Sequence, residues 1–256
     1  MSDVSAFAIE EAGLNALQTQ RQLFYDGWVL RVSPGKAKRA RSVNAHFGSS
    51  LPLDAKIAHC ERVYAERCLP ALFRITPFVQ PPGLDAALAR RGYVAFDTTL
   101  VQATALARPP ADAASASARE ATLEAPPIGD FVAAVGDLRG SSAEQRAAHL
   151  ERLGSTPLAT RALIARIDGR TVACGQAALE RDLCGVYDMV TAADAQGRGL
   201  ATLIVSELLA WAWQHGASHA YLQVNDDNAP ARAVYRKLGF ETVYTYRYRA
   251  RPDECR

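Results

Sequence analysis

The stretch AQGRGLATLIVSELLAWA, Ala195 to Ala212, decides the fold. Two glycines, Gly197 and Gly199, precede a segment in which Leu200, Leu203, Ile204, Leu208 and Trp211 recur at helical spacing. Glycine permits a positive φ and lets a ligand approach the backbone with no Cβ in the way. The first amides of such a helix have no intrahelical partner and point outward with the positive end of the dipole behind them, which suits a phosphate. Arg198 adds a fixed positive charge. The loop matches neither GxGxxG nor GxxxxGK followed by Ser or Thr, so it is not one of the two common nucleotide loops.

A meander precedes the loop. ALIARID and TVACGQAAL meet at Asp168-Gly169, a strong two-residue hairpin signal, and GVYDMVT follows. After the loop helix come the strand AYLQV, the helix APARAVYRKL and the strand ETVYTYRYR. Upstream, the spacing predicts a strand near Ala121 to Glu124 and a helix near Ile128 to Val135. Ser141 and Glu144 suggest a capping box for a helix running through Leu153.

RPPADAASASARE, Arg108 to Glu120, has no hydrophobic period and reads as a linker. Before it lie an amphipathic segment from Leu14 to Phe24 and two strand-like runs, GWVLRVS and RSVNAHF, joined through PGKAKRA. A helix near Ala55 to Leu69, a strand around Leu72 to Thr76, the helical PGLDAALARRGY and the alternating VAFDTTLVQA complete this region. LARRGYVAFDTTLV parallels YRKLGFETVYTYRY and lays Leu88 on Tyr235. This predicts two copies of one fold, only the second of which carries the glycine loop.

Gln196-Gly197-Arg198-Gly199-Leu200-Ala201 resembles the Q/R-x-x-G-x-G/A signature of the GCN5-related N-acetyltransferases (GNAT). Asn228-x-x-Ala231-x-x-x-Tyr235-x-x-x-Gly239-Phe240 resembles the second motif of that family. The likeness covers about residues 121 to 250, with mild departures at Gln196 and Ala201. GWVLRV, RARSVN and LDAALARRGY are similar to bacterial members with a GNAT-like N-terminal half. The resemblance implies an α/β (α+β) GNAT fold, a mixed central sheet flanked by helices, in tandem arrangement. A degenerate copy would span residues 1–107, a linker 108–120 and the catalytic domain 121–256.

It further implies transfer of the acetyl group of acetyl-CoA to a primary amine by direct attack on the thioester. Gln196, Gly197, Arg198, Gly199, Leu200, Ala201 and Thr202 would hold the pyrophosphate. Met189, Val190, Thr191 and Asn228 would hold the pantetheine arm, and the amide of Val190 or Thr191 would face the developing oxyanion. Tyr235 would act as general acid toward the thiolate, the other reading being a core aromatic whose hydroxyl caps a backbone group. Asn228 also suits a helix N-cap. Among acidic residues near these strands, Asp188 ranks ahead of Glu180 for activating the amine. It alternates with Val186 and Val190, so all three share one face, either toward the cleft or into the core.

Apolar residues form 49% of the 256 and charged residues 22%, enough to bury a sizeable core. A net charge of +2 argues against nucleic acid as the main partner. No apolar run approaches the ~18 residues that would suggest a membrane span, and the N-terminus lacks a secretory signal pattern. The five cysteines show no CxxC spacing and read as reduced, in a cytoplasmic monomer or homodimer. His215 and His219 have i,i+4 spacing, but Gly216 intervenes, so no metal is predicted. Lys36, Lys38, Arg39 and Arg41 read as solvated charges on a hairpin turn. The acceptor remains a small-molecule amine, a protein N-terminus or a lysine; the alternative to an enzyme is a non-catalytic acyl-CoA sensor.

Overall fold

The computed structural model describes residues 4–17, 19, 21–107, 118 and 120–255, so the segment read as a linker lies almost wholly outside them. The N-terminal half contains α1 (Ala6–Asn15), β1 (Gln22–Tyr25), β2 (Trp28–Arg31), β3 (Val43–Asn44), α2 (Leu53–Ala65), β4 (Phe73–Ile75), α3 (Leu84–Arg90) and β5 (Val94–Ala105). The C-terminal half continues with β6 (Thr122–Glu124), α4 (Ile128–Arg139), α5 (Ala143–Gly154), β7 (Ala159–Ile167), β8 (Arg170–Glu180) and β9 (Leu183–Thr191). It ends with α6 (Leu200–Gln214), β10 (His219–Asn225), α7 (Ala229–Lys237) and β11 (Glu241–Ala250). Among the described residues no helix is long and apolar enough to cross a membrane.

These strands form one mixed sheet in the order β1-β2-β3-β4-β11-β5-β10-β9-β8-β7-β6. β3–β4 and β9–β10 are parallel and the other neighbours antiparallel. The last strand of each half is exchanged. β5 pairs with β10, from His219↔Ala105 to Asn225↔Thr99, while β11 pairs with β4 through Arg249↔Phe73. β5 and β11 then pair with each other, Glu241 facing Ala103 and Val94 facing Ala250. When Leu88 is laid on Tyr235, Val94 falls on Glu241 and Ala103 on Ala250, so the pairing maps onto itself.

Local geometry repeats as well. Tyr93 N donates to Leu88 O at 3.0 Å and Phe240 N to Tyr235 O at 3.0 Å. Gly92 and Gly239, between them, both adopt φ of 83°. Each half also contains a hairpin on an Asp-Gly pair at positive φ: Asp26 (44°) with Gly27 (81°), and Asp168 (50°) with Gly169 (76°). Of the two turns, only Asp168-Gly169 is among those expected from the sequence. The segment 14–24, taken as one amphipathic unit, divides between the end of α1 and strand β1. The capping box falls one residue later than expected: Ser142 caps Gln145 N, and the Gln145 side chain returns to Ser142 N.

α6 packs Leu200, Ile204 and Leu208 against Val172, Ala173, Val186 and Leu222 on one face of the sheet. Pleating sends successive residues to opposite faces, so Tyr221 and Ala178 join the core under α1 while Leu222 and Ala177 stay with α6. α4 covers the same side as α1 farther along the sheet, with Phe131 over Ile164 and Cys174. α1 is fastened by Glu10, which pairs with Arg74 on β4 and accepts from Tyr244 Oη at 2.7 Å on β11.

Candidate active site

β9 and β10 pair only from His219↔Leu183 to Leu222↔Val186. Beyond Val186 they part, and β9 runs on with one edge unpaired. The gap opens a cavity of about 770 Å³ that passes through the sheet. Its floor on the α6 side includes Leu200, Val224 and Tyr235, and its opposite end includes Tyr187, Gln223 and Arg39.

The glycine loop lies along this cavity. Gly197 and Gly199 have φ of 77° and 85°, and Gly199 is the N-cap of α6. The first bond into the helix runs from Leu203 N to Gly199 O at 3.0 Å, which leaves the amides of Leu200, Ala201 and Thr202 without an intrahelical carbonyl. Gln196, Gly197, Gly199, Leu200, Ala201 and Thr202 all line the cavity. Arg198 does not; its guanidinium pairs with Glu120 at 2.7 Å.

Met189, Val190 and Thr191 line the cavity from β9. Ala192 N donates to Val172 O at 2.8 Å. The two-residue alternation of an antiparallel ladder therefore turns Val190 toward β8 and leaves the amide of Thr191 facing the gap.

Tyr235 lines the cavity from α7, packed edge-on to Phe240 with ring centres 6.0 Å apart. Among the described residues its hydroxyl has no hydrogen-bond partner, so it caps no backbone group. Burial pushes the phenol up to about 12, opposed by the charge of Arg139. Asn228 does what an N-cap does, accepting from Ala231 N at 3.2 Å, and still faces the cavity.

Asp188 departs from the expected alternation. Tyr187 faces Gln176 and Val190 faces Cys174, so Asp188 and Met189 together oppose Gly175 in a β-bulge. Asp188 takes a φ of 53°, which an aspartate tolerates better than most residues. A Cβ on Gly175 would overlap Met189 Sδ and crowd Ile204 Cγ2, so a larger residue there would displace Met189 from its place beside the bulge. The extra residue splits the set predicted to share a face. Val186 packs under α6, whereas Val190 packs with Phe131 and Cys174 under α4.

The bulge aims the Asp188 carboxylate at α4 and α5. It accepts from Arg139 at 2.9 Å, Gln176 Nε2 at 2.6 Å and, more weakly, Arg152 at 3.4 Å, with His149 Nε2 at 3.0 Å. Burial alone would raise this carboxyl. The His149 hydrogen bond and the charges of Arg152, His149 and Arg139 outweigh it and hold Asp188 well below the usual range. Glu180 lies outside the cavity, accepting from Asn15 Nδ2 at 2.9 Å.

Arg139 and Arg152, which no sequence pattern marks, and Arg39, expected as a solvated charge, all lie on the cavity wall. The basic run around Arg39 is not a solvated turn. Lys36 Nζ donates to Arg139 O at 2.8 Å and Lys38 pairs with Asp97 at 2.9 Å, which draws the run across the opening.

A splayed parallel strand pair, a glycine-started helix behind it and a cavity through the sheet define an acyltransferase of the GCN5-related N-acetyltransferase class. The fold matches a GCN5-related N-acetyltransferase from Kribbella flavida with a TM-score of 0.69 at 19% identity, over 98% of this chain and 97% of that one. It also matches a tandem GNAT protein from the clavulanic acid biosynthesis pathway with a TM-score of 0.62 at 18% identity, over 77% and 68% of the two chains. In sequence, the uncharacterized N-acetyltransferase YobR of Bacillus subtilis (strain 168) is 28% identical over 224 residues, 87% of this chain and 89% of that protein. A mycothiol acetyltransferase of Saccharomonospora viridis is 50% identical over 60 residues, 23% of this chain and 20% of that protein. Residues 4–249 match the family described as "Probable histone acetyltransferase Rv0428c C-terminal", and the chain belongs to that family.

Proposed function

We propose that the protein is an N-acetyltransferase that uses acetyl-CoA and a primary amine, with the C-terminal half, from about residue 121, as the catalytic unit. The observation that carries this reading is that the open amides at the start of α6, the unpaired edge of β9 and the free hydroxyl of Tyr235 meet in one cavity. The residues fit a coenzyme A: a Cβ on Gly197 would project into open space, so nothing obstructs an anion at that bend. Bound there, the thioester supplies the acyl group and a thiol leaving group.

The chain's own residues then divide the work. The amides of Leu200, Ala201 and Thr202 bind the diphosphate. The Thr191 amide is oriented toward the carbonyl oxygen, as donor to the charge that develops there. Tyr235, with its phenol near 12, holds its proton throughout the neutral range. Since a thiol titrates near 8.5, the phenol serves chiefly as a hydrogen-bond donor to the departing sulfur. Asp188, held so far below its usual range, is a weak base; its part is to anchor Arg139, His149 and Arg152 beside the cavity. The N-terminal half completes the sheet and contributes Leu17, Ala37 and Arg39 to the acceptor end.

Titration calorimetry with coenzyme A and a thiol-release assay with acetyl-CoA across an amine library test the reading. Binding together with amine-dependent thiol release is the expected result. Binding without release from any amine would leave a sensor, and no binding would remove the assignment.

A further inference from the structure

Arg39 sits in the short 3-10 turn Lys38–Ala40 of the N-terminal half, yet it lines the cavity of the C-terminal half. It arrives on the face away from α6, with its guanidinium 5.6 Å from the ring centre of Tyr187. Its Nη1 is buried and has no hydrogen-bond partner among the described residues. Among the described residues no hydrogen bond or ion pair holds any other part of the group. The neighbouring lysines are engaged, Lys36 with Arg139 O and Lys38 with Asp97.

Arg139 and Arg152 share one carboxylate, that of Asp188. Three guanidinium groups thus line the cavity against a single carboxylate, that of Asp188. A cation withdrawn from water without a partner is costly. A planar fork of donors beside a cavity, with no acceptor of the protein's own among the described residues, matches carboxylate and phosphate oxygens.

We propose that the acceptor is a small amine bearing its own anionic oxygen group, a carboxylate or a phosphate, which Arg39 grips while the amine faces the splayed strand. This rests on the cavity being an acyltransferase site. The same positive excess favours the neutral form of the amine, which must shed a proton about 3 pK units above neutrality. It therefore does part of the work that Asp188 is too acidic to do, and it disfavours lysine-rich peptides.

Matched pairs decide the matter in the thiol-release assay: amino acids against their carboxamides, and phosphoethanolamine against ethanolamine. The anionic member of at least one pair is expected to have a kcat/KM about 10- to 100-fold higher. The pair that responds identifies carboxylate or phosphate. In Arg39→Gln the ratio should fall toward one through KM, with the coenzyme A Kd measured by calorimetry unmoved. Neutral members used as well as the anionic ones, no anionic member used above the amine-free rate, or an unchanged ratio in Arg39→Gln would each overturn the proposal. If Arg39→Gln does not fold, the wild-type pairs decide alone. Lost coenzyme A binding would instead remove the function on which the proposal rests.

Discussion

The carboxylate of Asp26 accepts a hydrogen bond from the amide of Leu51 at 2.9 Å, and another from Ser50 at 3.0 Å, just ahead of α2. α2 follows β3 as α6 follows β9, and each helix leads into the strand parallel to the one before it. In the N-terminal half, then, a side chain of the protein itself occupies the place that the Gly199 loop leaves open. The amides of Ser50 and Leu51, ahead of opposing desolvation, hold Asp26 well below the usual carboxylate range. Pro52, the N-cap of α2, removes a further donor. Coenzyme A should bind once per chain in titration calorimetry; a stoichiometry of two would contradict this account.

Tyr235→Phe removes only the hydroxyl, which has no hydrogen-bond partner among the described residues. The coenzyme A Kd should stay within about twofold. The fall in kcat should be on the order of 10²-fold or more, the scale of a lost hydrogen-bond donor to developing charge. A kcat close to wild type would mean that the phenol has no part in the transfer.

Gly199→Ala forces an L-residue to a φ of 85°. That conformation costs about 1–2 kcal/mol, visible as a lowered thermal midpoint, and the new methyl should weaken coenzyme A binding as well. Gly129→Ala, in the first turn of α4 with open space around its Cα, is the control. It should be neutral or gain a few tenths of a kcal/mol.

Asp188→Asn strips the countercharge from Arg139 and Arg152 and should cost about 3–5 kcal/mol, as breaking a buried pair does. The folded carboxyl is depressed, so its contribution is complete above the unfolded value near 3.9 and is lost as pH falls from there toward the folded value. Thermal midpoints measured from pH 7 down to pH 2 should show an acid limb in the wild type that is smaller in Asp188→Asn. Parallel curves would place the acid sensitivity elsewhere, for instance at Glu10, which is also lowered: burial raises it, but Arg74 outweighs that.

The helix of Leu200 to Gln214, its glycine start and the meander before it were legible because each rests on spacing within a few residues. The Tyr25–Trp28 turn carries the same Asp-Gly signal as Asp168-Gly169, but the short strand before it, β1, is merged into the amphipathic segment of 14–24, which leaves the turn with one flanking strand. Asp188 does line the cavity, but the face it was to share with Val186 and Val190 is split for a physical reason: a bulge adds one residue, and strict alternation cannot register it. Arg39, Arg139 and Arg152 come from three separate segments, and no local pattern announces that they converge. The exchange of β5 and β11 was equally invisible, since both strands alternate in the way that any neighbour would accept.

That exchange bears on how the molecule is made. As the chain leaves the ribosome, β4 emerges long before β11, the strand that will cover its edge, and β5 waits for β10 and β11 on either side. An uncovered strand edge is a template for wrong partners. Nascent chains of this protein therefore hold an adhesive seam open until translation is nearly finished, and stalling anywhere between residues 105 and 241 would release a species poised to aggregate.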